Sequence, residues 1–273
     1  MLVTLATEAA PGRPNEDFAG GTPDAVVLLD GAGTPPGSDS GCSHGVAWYA
    51  RTLGSGLLAA MVQRSDPLAE LLADEIKAVA GLHDDTCDLA HPGSPSATVV
   101  MLRHAGDVLD WLVLADSSLV LDVTGTADPM VVTDDREGQV GARYRKAMDA
   151  LDSGSPEHVT AHREYVEAMR AHRNRDDGFW VAATDPRAAD QALTGTVPAE
   201  SVRSALLLSD GASRLVDRFH VANWREVLAI VGQEGPGELI SLVRTAERSD
   251  LAGSRWPRGK TFDDATVISV TLP

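Results

Sequence analysis

The sequence predicts an α+β fold, layered antiparallel sheets covered by helices, in one domain spanning residues 1–273. Three observations predict it. Residues 97–133 hold four short β-rich runs, "ATVVMLR", "DVLDWLVLA", "LVLDV" and "MVVT", split only by "HAG", "DSS" and "GTADP". Turns that short join antiparallel neighbours in a meander and leave no room for βαβ crossovers. Helical periodicity comes in pairs of segments set apart from the strands, and apolar strand-like runs lie near both ends of the chain. That segregation indicates sheets and helices stacked in layers.

Taken in order, Leu2–Ala6 and Ala25–Leu29 read as strands. From Ser43, apolar residues recur at Val46, Tyr49, Leu53, Leu57 and Met61, a helical period with Ser43 as its expected cap. A second helix begins at "SDPLAE", where Pro67 suits the first helical position, and carries Leu68, Leu71, Leu72, Ile76 and Val79 on one face. After the meander, helices are expected at about 138–150 and 156–173. The second has Ser155 as cap and Pro156 at its first position, and ends near Asn174. "ALLLS" is a strand. "NWREVLAIVG" is a helix with Asn223 and Glu226 as a capping pair and Gly232 as its stop. A helix over 237–248 and the strand "ATVISVTL" close the chain.

The 273 residues suffice for a large core, and a formal charge of −17 disfavours nucleic acid or an anionic membrane surface as partner. The two cysteines, Cys42 and Cys87, form neither a disulfide framework nor a CxxC pair, a reduced, cytosolic pattern. The start "MLVTLATEAAPG" lacks the basic and apolar regions of a signal peptide, and no apolar run reaches the roughly 18 residues that span a bilayer. A soluble, cytoplasmic protein is expected.

Four aspartates stand out by position. Asp30 and Asp210 end apolar strands and precede glycine, Asp116 sits in the tight "ADSS" turn, and Asp263 opens the final strand. A single such aspartate is ordinarily a turn residue. Four at strand ends can converge, and glycine after aspartate lets a backbone carbonyl approach a ligand. Oxygen donors of this kind suit Mg²⁺ or Mn²⁺ and not zinc, and the histidines show no HExxH motif. Two bridged metals would generate hydroxide near neutral pH and clamp a phosphoryl group, which would let so acidic a chain attract a phosphorylated substrate.

"RPNED" (13–17), "VVLLDGAG" (26–33), "LVLADSS" (112–118), "LLLSDG" (206–211) and "DDATVISV" (263–270) occur in the order of the PPM family, the protein phosphatase 2C type of metal-dependent serine/threonine phosphatases. The chain resembles that family over nearly its whole length. The resemblance implies a four-layer α-β-β-α sandwich, two antiparallel sheets flanked by helix pairs, with a binuclear Mn²⁺ or Mg²⁺ centre between the sheets. It implies hydrolysis of phosphoserine and phosphothreonine in proteins by direct attack of a metal-activated water. By that likeness Asp30 bridges both metals, the Gly31 carbonyl binds one, and Asp210 and Asp263 complete the first. Asp116 with Asp210 holds a third, and Glu16 and Asp17 hold metal-bound waters, with Asp264 close by. The catalytic set is then Asp30, Asp210 and Arg13.

The chain departs from the family pattern in places. The phosphate-binding arginine belongs at Gly12, whereas Arg13 stands one residue late. "GAGTPP" breaks a glycine pair, "ADSS" replaces "GDSR", and Asp264 replaces a frequent asparagine; position 32, where some members offer a histidine, is Ala32. These changes touch phosphate and substrate contacts and spare the metal ligands.

Other motifs fail on context. "GCSHG" (41–45) matches the serine-hydrolase elbow, but the loop "TPPGSDS" precedes it where a buried strand is needed. Cys42 and His44 are too close in sequence for an activated thiol, so Cys42 is expected to be a small packed side chain and His44 solvated. An aspartyl-phosphate enzyme would need aspartate at Leu28, and Pro35 and Pro36 stand where a dinucleotide loop would open a helix. The alternatives are a catalytically weak phosphoprotein-binding member of the same fold and a serine hydrolase using Ser43. Finally, residues 136–175 carry eight Arg or Lys against six Asp or Glu, with His158, His162 and His172. This variable helical segment, about 136–178, is expected to offer cationic contacts beside the cleft, with Arg143 or Arg175 able to stand in for Arg13.

Overall fold

A computed structural model describes residues 1–33 and 39–272. Pro35 and Pro36 of the broken glycine pair lie outside the described residues. In chain order the strands are β1 (Leu2–Glu8), β2 (Phe18–Gly21), β3 (Ala25–Leu29), β4 (Gly31–Ala32), β5 (Ser96–Ala97), β6 (Val99–Ala105), β7 (Val108–Leu114), β8 (Ser118–Val123), β9 (Met130–Val132), β10 (Leu193–Pro198), β11 (Val202–Leu208) and β12 (Ala265–Thr271). The helices are α1 (Val46–Gln63), α2 (Leu68–Gly81), α3 (Arg136–Gly141), α4 (Lys146–Asp149), α5 (Pro156–Arg170), α6 (Asp210–Asp217), α7 (Trp224–Glu234) and α8 (Pro236–Ser249).

Two five-stranded antiparallel sheets stack face to face, ordered β1-β12-β11-β8-β9 and β10-β7-β6-β3-β2. The inner strands β3, β6, β7, β8 and β11 carry apolar runs because both of their faces are covered. In β3, Val26 and Leu28 point between the sheets toward Leu119, Ile268 and Val270, while Val27 and Leu29 pack under α1 and α2. In β12, Ile268 and Val270 face the same inter-sheet core, while Ala265 and Val267 pack under α6–α8. Period-two alternation thus feeds two cores from one strand, giving the four layers α-β-β-α.

Several predicted elements form as read. β3 has the predicted limits, the five apolar residues of α2 are buried, and Asn223 and Glu226 make a complete capping box. Ser155 accepts a hydrogen bond from the His158 amide with Pro156 at the first helical position.

The differences have local reasons. The meander is divided between the sheets: β6 and β7 lie in one, β8 and β9 in the other, so the "ADSS" turn carries the chain across. Ala115, at φ 68°, makes that turn. Pro67 caps α2 and does not enter it, and Gly45, not Ser43, occupies the cap position of α1, without a side-chain bond. The helix expected over 138–150 is broken into α3 and α4. α5 stops at Arg170, with Asn174 beyond it in the left-handed region. Gly232 lies inside α7, which ends at Gly235, where φ is 88°. α6, starting on Asp210 itself, and the edge strands β2 and β10 were not legible from periodicity.

Candidate metal centre and active site

Asp30 leaves β3 at the end of the inter-sheet cleft. Its amide donates to Thr98 Oγ1 at 3.2 Å, and its Oδ2 accepts from the Asp210 amide at 3.3 Å. The second contact exists because α6 begins at Asp210, so a free helix N-terminal N–H points at the Asp30 carboxylate. The two glycines that follow are sterically required. A Cβ on Gly31 would strike the Glu16 carbonyl and lie 2.6 Å from a Val46 methyl, and one on Gly211 would overlap the Asp264 carbonyl. Glycine follows each of these aspartates because neighbouring backbone packs against it, the Glu16 carbonyl at Gly31 and the Asp264 carbonyl at Gly211.

The other carboxylates gather there. Asp17 is buried; its Oδ2 accepts from Thr266 Oγ1 at 2.6 Å, while its Oδ1 is buried with no hydrogen-bond partner. Burial first, and then the charges of Asp264 and Asp210, push its pKa up to about 7. Burial, with Asp17, Asp210 and Asp263 beside it, holds Asp30 well above the usual carboxylate range. Asp116 is raised in the same way by burial, by Glu137 on α3 and by Asp210. Glu16 is raised by burial, partly offset by Lys260. Asp264 accepts from the amides of Ala10 and Glu16 at 2.7 and 2.8 Å, so it clamps the 10–16 loop against the centre.

Asp263 differs from the rest. Arg214 Nη2 donates to its Oδ2 at 2.6 Å and Lys260 Nζ to its Oδ1 at 2.8 Å. Although burial alone would raise its pKa, Lys260 and Arg214 bring it below the usual range. The Lys260 ammonium also feels Asp210 and Asp30, which together with Asp263 raise its pKa against the opposing effect of burial. Sequence reasoning missed Lys260, Arg214 and Glu137; only the converging loops make them neighbours of the aspartates.

Arg13 is exposed, on the turn closed by its amide donating to Ala10 O at 3.1 Å. The basic segment lies beside it. His162 of α5 has its pKa lowered by burial and then by the positive charge of Lys260. Much of the segment's charge is already engaged. Arg136 pairs with Asp134, Arg145 with Asp149 and Arg170 with Glu167, and Arg173 donates to the carbonyls of Pro92 and Ser94. Arg143 and Arg175 are exposed.

Carboxylates with raised pKa values bind protons more tightly folded than unfolded, so they stabilise the metal-free protein at low pH and lose that contribution as pH rises. For Asp17 the window runs from its ordinary 3.8 to about 7. Metal-free protein is therefore expected to lose stability as pH climbs through that window, and Asp17→Asn to flatten the slope. Urea denaturation at a series of pH values checks this; a slope identical in the variant would show that Asp17 is not the group responsible.

A sequence model described as protein phosphatase 2C matches residues 7–244. No curated protein shows significant sequence similarity. Among solved structures, the chain is similar to the serine/threonine phosphatase Stp1 from Staphylococcus aureus, with 14% identity, 99% and 94% of the two chains covered and a TM-score of 0.58. It is similar to the PPM Ser-Thr phosphatase MsPP from Mycobacterium smegmatis, solved with cacodylate, at 16% identity, 100% and 99% coverage and TM-score 0.57. It is also similar to the catalytic domain of PstP, solved with 2 manganese ions, at 17% identity, 100% and 98% coverage and TM-score 0.57. With the two-sheet sandwich, the carboxylates at its cleft and a family match over most of its length, this chain belongs to the protein phosphatase 2C family.

Proposed function

We propose that residues 1–273 form one phosphatase domain that hydrolyses phosphoserine and phosphothreonine in proteins, by direct attack of water, with Mn²⁺ or Mg²⁺ bound at the Asp30 centre. The carrying observation is the excess of carboxylate over cation there. Asp17, Asp30 and Asp116 all have raised pKa values, and one buried Asp17 oxygen lacks any partner. Such an all-oxygen donor set fits a hard divalent cation. Asp30, the Gly31 carbonyl and Asp210 would hold the first ions, and Asp116 with Asp210 a third. Asp263 would join only if Lys260 withdraws from it. Cations bound there would lower the pKa of water and neutralise phosphoryl oxygens.

The chain's own residues set the geometry around that chemistry. Glu16 and Asp17 offer acceptors that orient water, and Asp264 keeps their loop in place. The Thr98 hydroxyl, which accepts from the Asp30 amide, is buried and bonded to Ser117 Oγ at 2.6 Å, so it is not free to attack and no phosphoenzyme is expected. Trapping of a covalent phospho-intermediate would overturn this mechanism. The acidity of the chain argues against nucleic acid or an anionic membrane as partner. Among the described residues no helix is long and apolar enough to cross a membrane.

Arg13 is assigned to the phosphate, because a guanidinium forks onto two oxygens and its long stem absorbs a one-residue displacement. Arg13→Ala is expected to raise KM for a phosphopeptide while leaving Mn²⁺ affinity intact. The loss of one charge-assisted contact, about 1.5–3 kcal/mol, is on the order of ten- to a hundredfold in kcat/KM. Steady-state kinetics checks it, and unchanged kinetics would move the role to Arg143 or Arg175. One observation favours a second reading, a phosphoprotein-binding member with little turnover: Arg214 and Lys260 already neutralise Asp263. Mn²⁺-dependent hydrolysis of p-nitrophenyl phosphate, alongside Asp210→Asn, separates the two, since metal binding without turnover belongs to the second.

A further inference from the structure

Away from the aspartate centre, two loops that are remote in sequence meet at the open end of the α1–α2 pair. Cys42 and His44 precede α1 as Cys-x-His; His83 and Cys87 follow α2 as His-x3-Cys. The Cys87 amide donates to His83 O at 2.9 Å, a single helical turn, and the Asp88 amide donates to Gly41 O at 2.8 Å, which ties the loops together. Cys42 Sγ lies 3.4 Å from Cys87 Sγ, 3.7 Å from His83 Nδ1 and 3.9 Å from His44 Nδ1, and Cys87 Sγ lies 3.4 Å from His44 Nδ1. One ligand atom from each of the four residues falls within 4.8 Å of all the others. The expectation that Cys42 is merely a packed side chain is thereby corrected, while His44 is exposed as expected. Cys42 is half-buried and turned toward Cys87 and His83, and exposed His44 faces the same point.

We propose that Cys42, His44, His83 and Cys87 bind one Zn²⁺ in a closed tetrahedral site. Zinc bonds of about 2.3 Å to sulfur and 2.0–2.1 Å to nitrogen give tetrahedral edges of about 3.3–3.8 Å, and the four measured separations scatter about that range. Two thiolates and two neutral imidazoles select zinc over the hard cations that suit the aspartate centre, and they exactly balance its charge. The two thiols differ. Burial would raise Cys87, but contacts from His83, the Ser43 backbone, Thr86 and Cys42 bring it down to about 5. Burial raises Cys42, whose proton zinc would have to displace. His83 is buried and its Nε2 has no partner, so Nδ1 is the nitrogen facing the sulfurs. Trp48 packs on both rings, with centroids 4.4 Å from His44 and 5.0 Å from His83, and holds them in place.

With four protein ligands and no open position, the ion is structural. It would pin the start of α1, two residues before Val46, whose side chain is the wall against which Gly31 and Gly33 are seated. Zinc would thus support the loop that follows Asp30 without taking part in any reaction, and the site stands whether or not the centre at Asp30 is a phosphatase.

The test uses the full chain without an affinity tag, dialysed against EDTA. Elemental analysis is expected to find about one zinc per chain, released by a mercurial thiol reagent, and retained by Asp30→Asn but lost in Cys42→Ser/Cys87→Ser. To separate lost ligation from misfolding in that variant, the wild-type protein is also reloaded with Co²⁺. Intense ligand-field bands with thiolate-to-cobalt charge transfer are expected for a tetrahedral sulfur site, together with a change in Trp48 fluorescence. Zinc-free protein with two titratable thiols, a Cys42–Cys87 disulfide in freshly prepared protein, or only the weak bands of octahedral cobalt would each overturn the proposal.

Discussion

Asp30→Asn is expected to abolish Mn²⁺ binding and to reduce phosphatase activity by roughly a thousandfold or more. That corresponds to the several kcal/mol of charge stabilisation that a bound divalent ion supplies. Asparagine keeps the shape of the side chain and an oxygen to accept from the Asp210 amide, but removes the charge at the middle of the carboxylate group. The same removal relieves repulsion with Asp17, Asp210 and Asp263, so the metal-free variant is expected to be at least as stable as wild type. Titration calorimetry together with urea denaturation separates lost ligation from misfolding. Unchanged Mn²⁺ affinity would remove Asp30 from the centre.

The second large effect lies one layer behind the site. Glu247 of α8 is fully buried, its Oε1 accepting from Arg214 Nη1 at 2.8 Å and its Oε2 from Arg244 Nη1 at 2.7 Å. Arg214 also holds Asp263, and Arg244 continues to Glu8 through Nε at 3.0 Å, so one carboxylate links the helical layer to the centre and to β1. Glu247→Ala strands two guanidinium groups in the interior. It is expected to cost about 3–5 kcal/mol, the usual penalty for breaking a buried charge pair from one side. Glu247→Gln, which keeps an acceptor, is expected to lose less. Denaturant midpoints at constant m-value measure both, and a loss below about 1 kcal/mol for the alanine variant would show that water reaches these arginines. The penalty measures uncompensated charge; an apolar replacement of the whole network is a different experiment.

Lys260 illustrates how the centre is balanced. Its ammonium donates to the Asp263 carboxylate, so a divalent ion taking Asp263 as a ligand would have to compete with a fixed positive charge. This is a consequence of tertiary placement, since "RGKTFDD" in the sequence is an ordinary mixed-charge loop.

The short turns of the meander and the paired helical periods made a layered α+β fold legible, and the family resemblance supplied its four layers. A strand such as β3 must be apolar on both faces to lie between a helix layer and a second sheet, and that requirement is visible as the unbroken run "AVVLL". The Asp-Gly strand ends at 30–31 and 210–211 were legible for a related reason, because backbone packing there excludes any side chain. The remaining features depend on which segments meet in space. Period-two patterning does not say which sheet a strand joins, so the crossing at Asp116 was invisible, as were edge strands with too little burial to leave a pattern. Ion pairing depends on separation in space, which brought Lys260 and Arg214 onto Asp263 and set Glu137 beside Asp116. The Cys-x-His and His-x3-Cys pairs, unremarkable when each is read alone, became one cluster only because α1 and α2 pack side by side and bring the start of one to the end of the other.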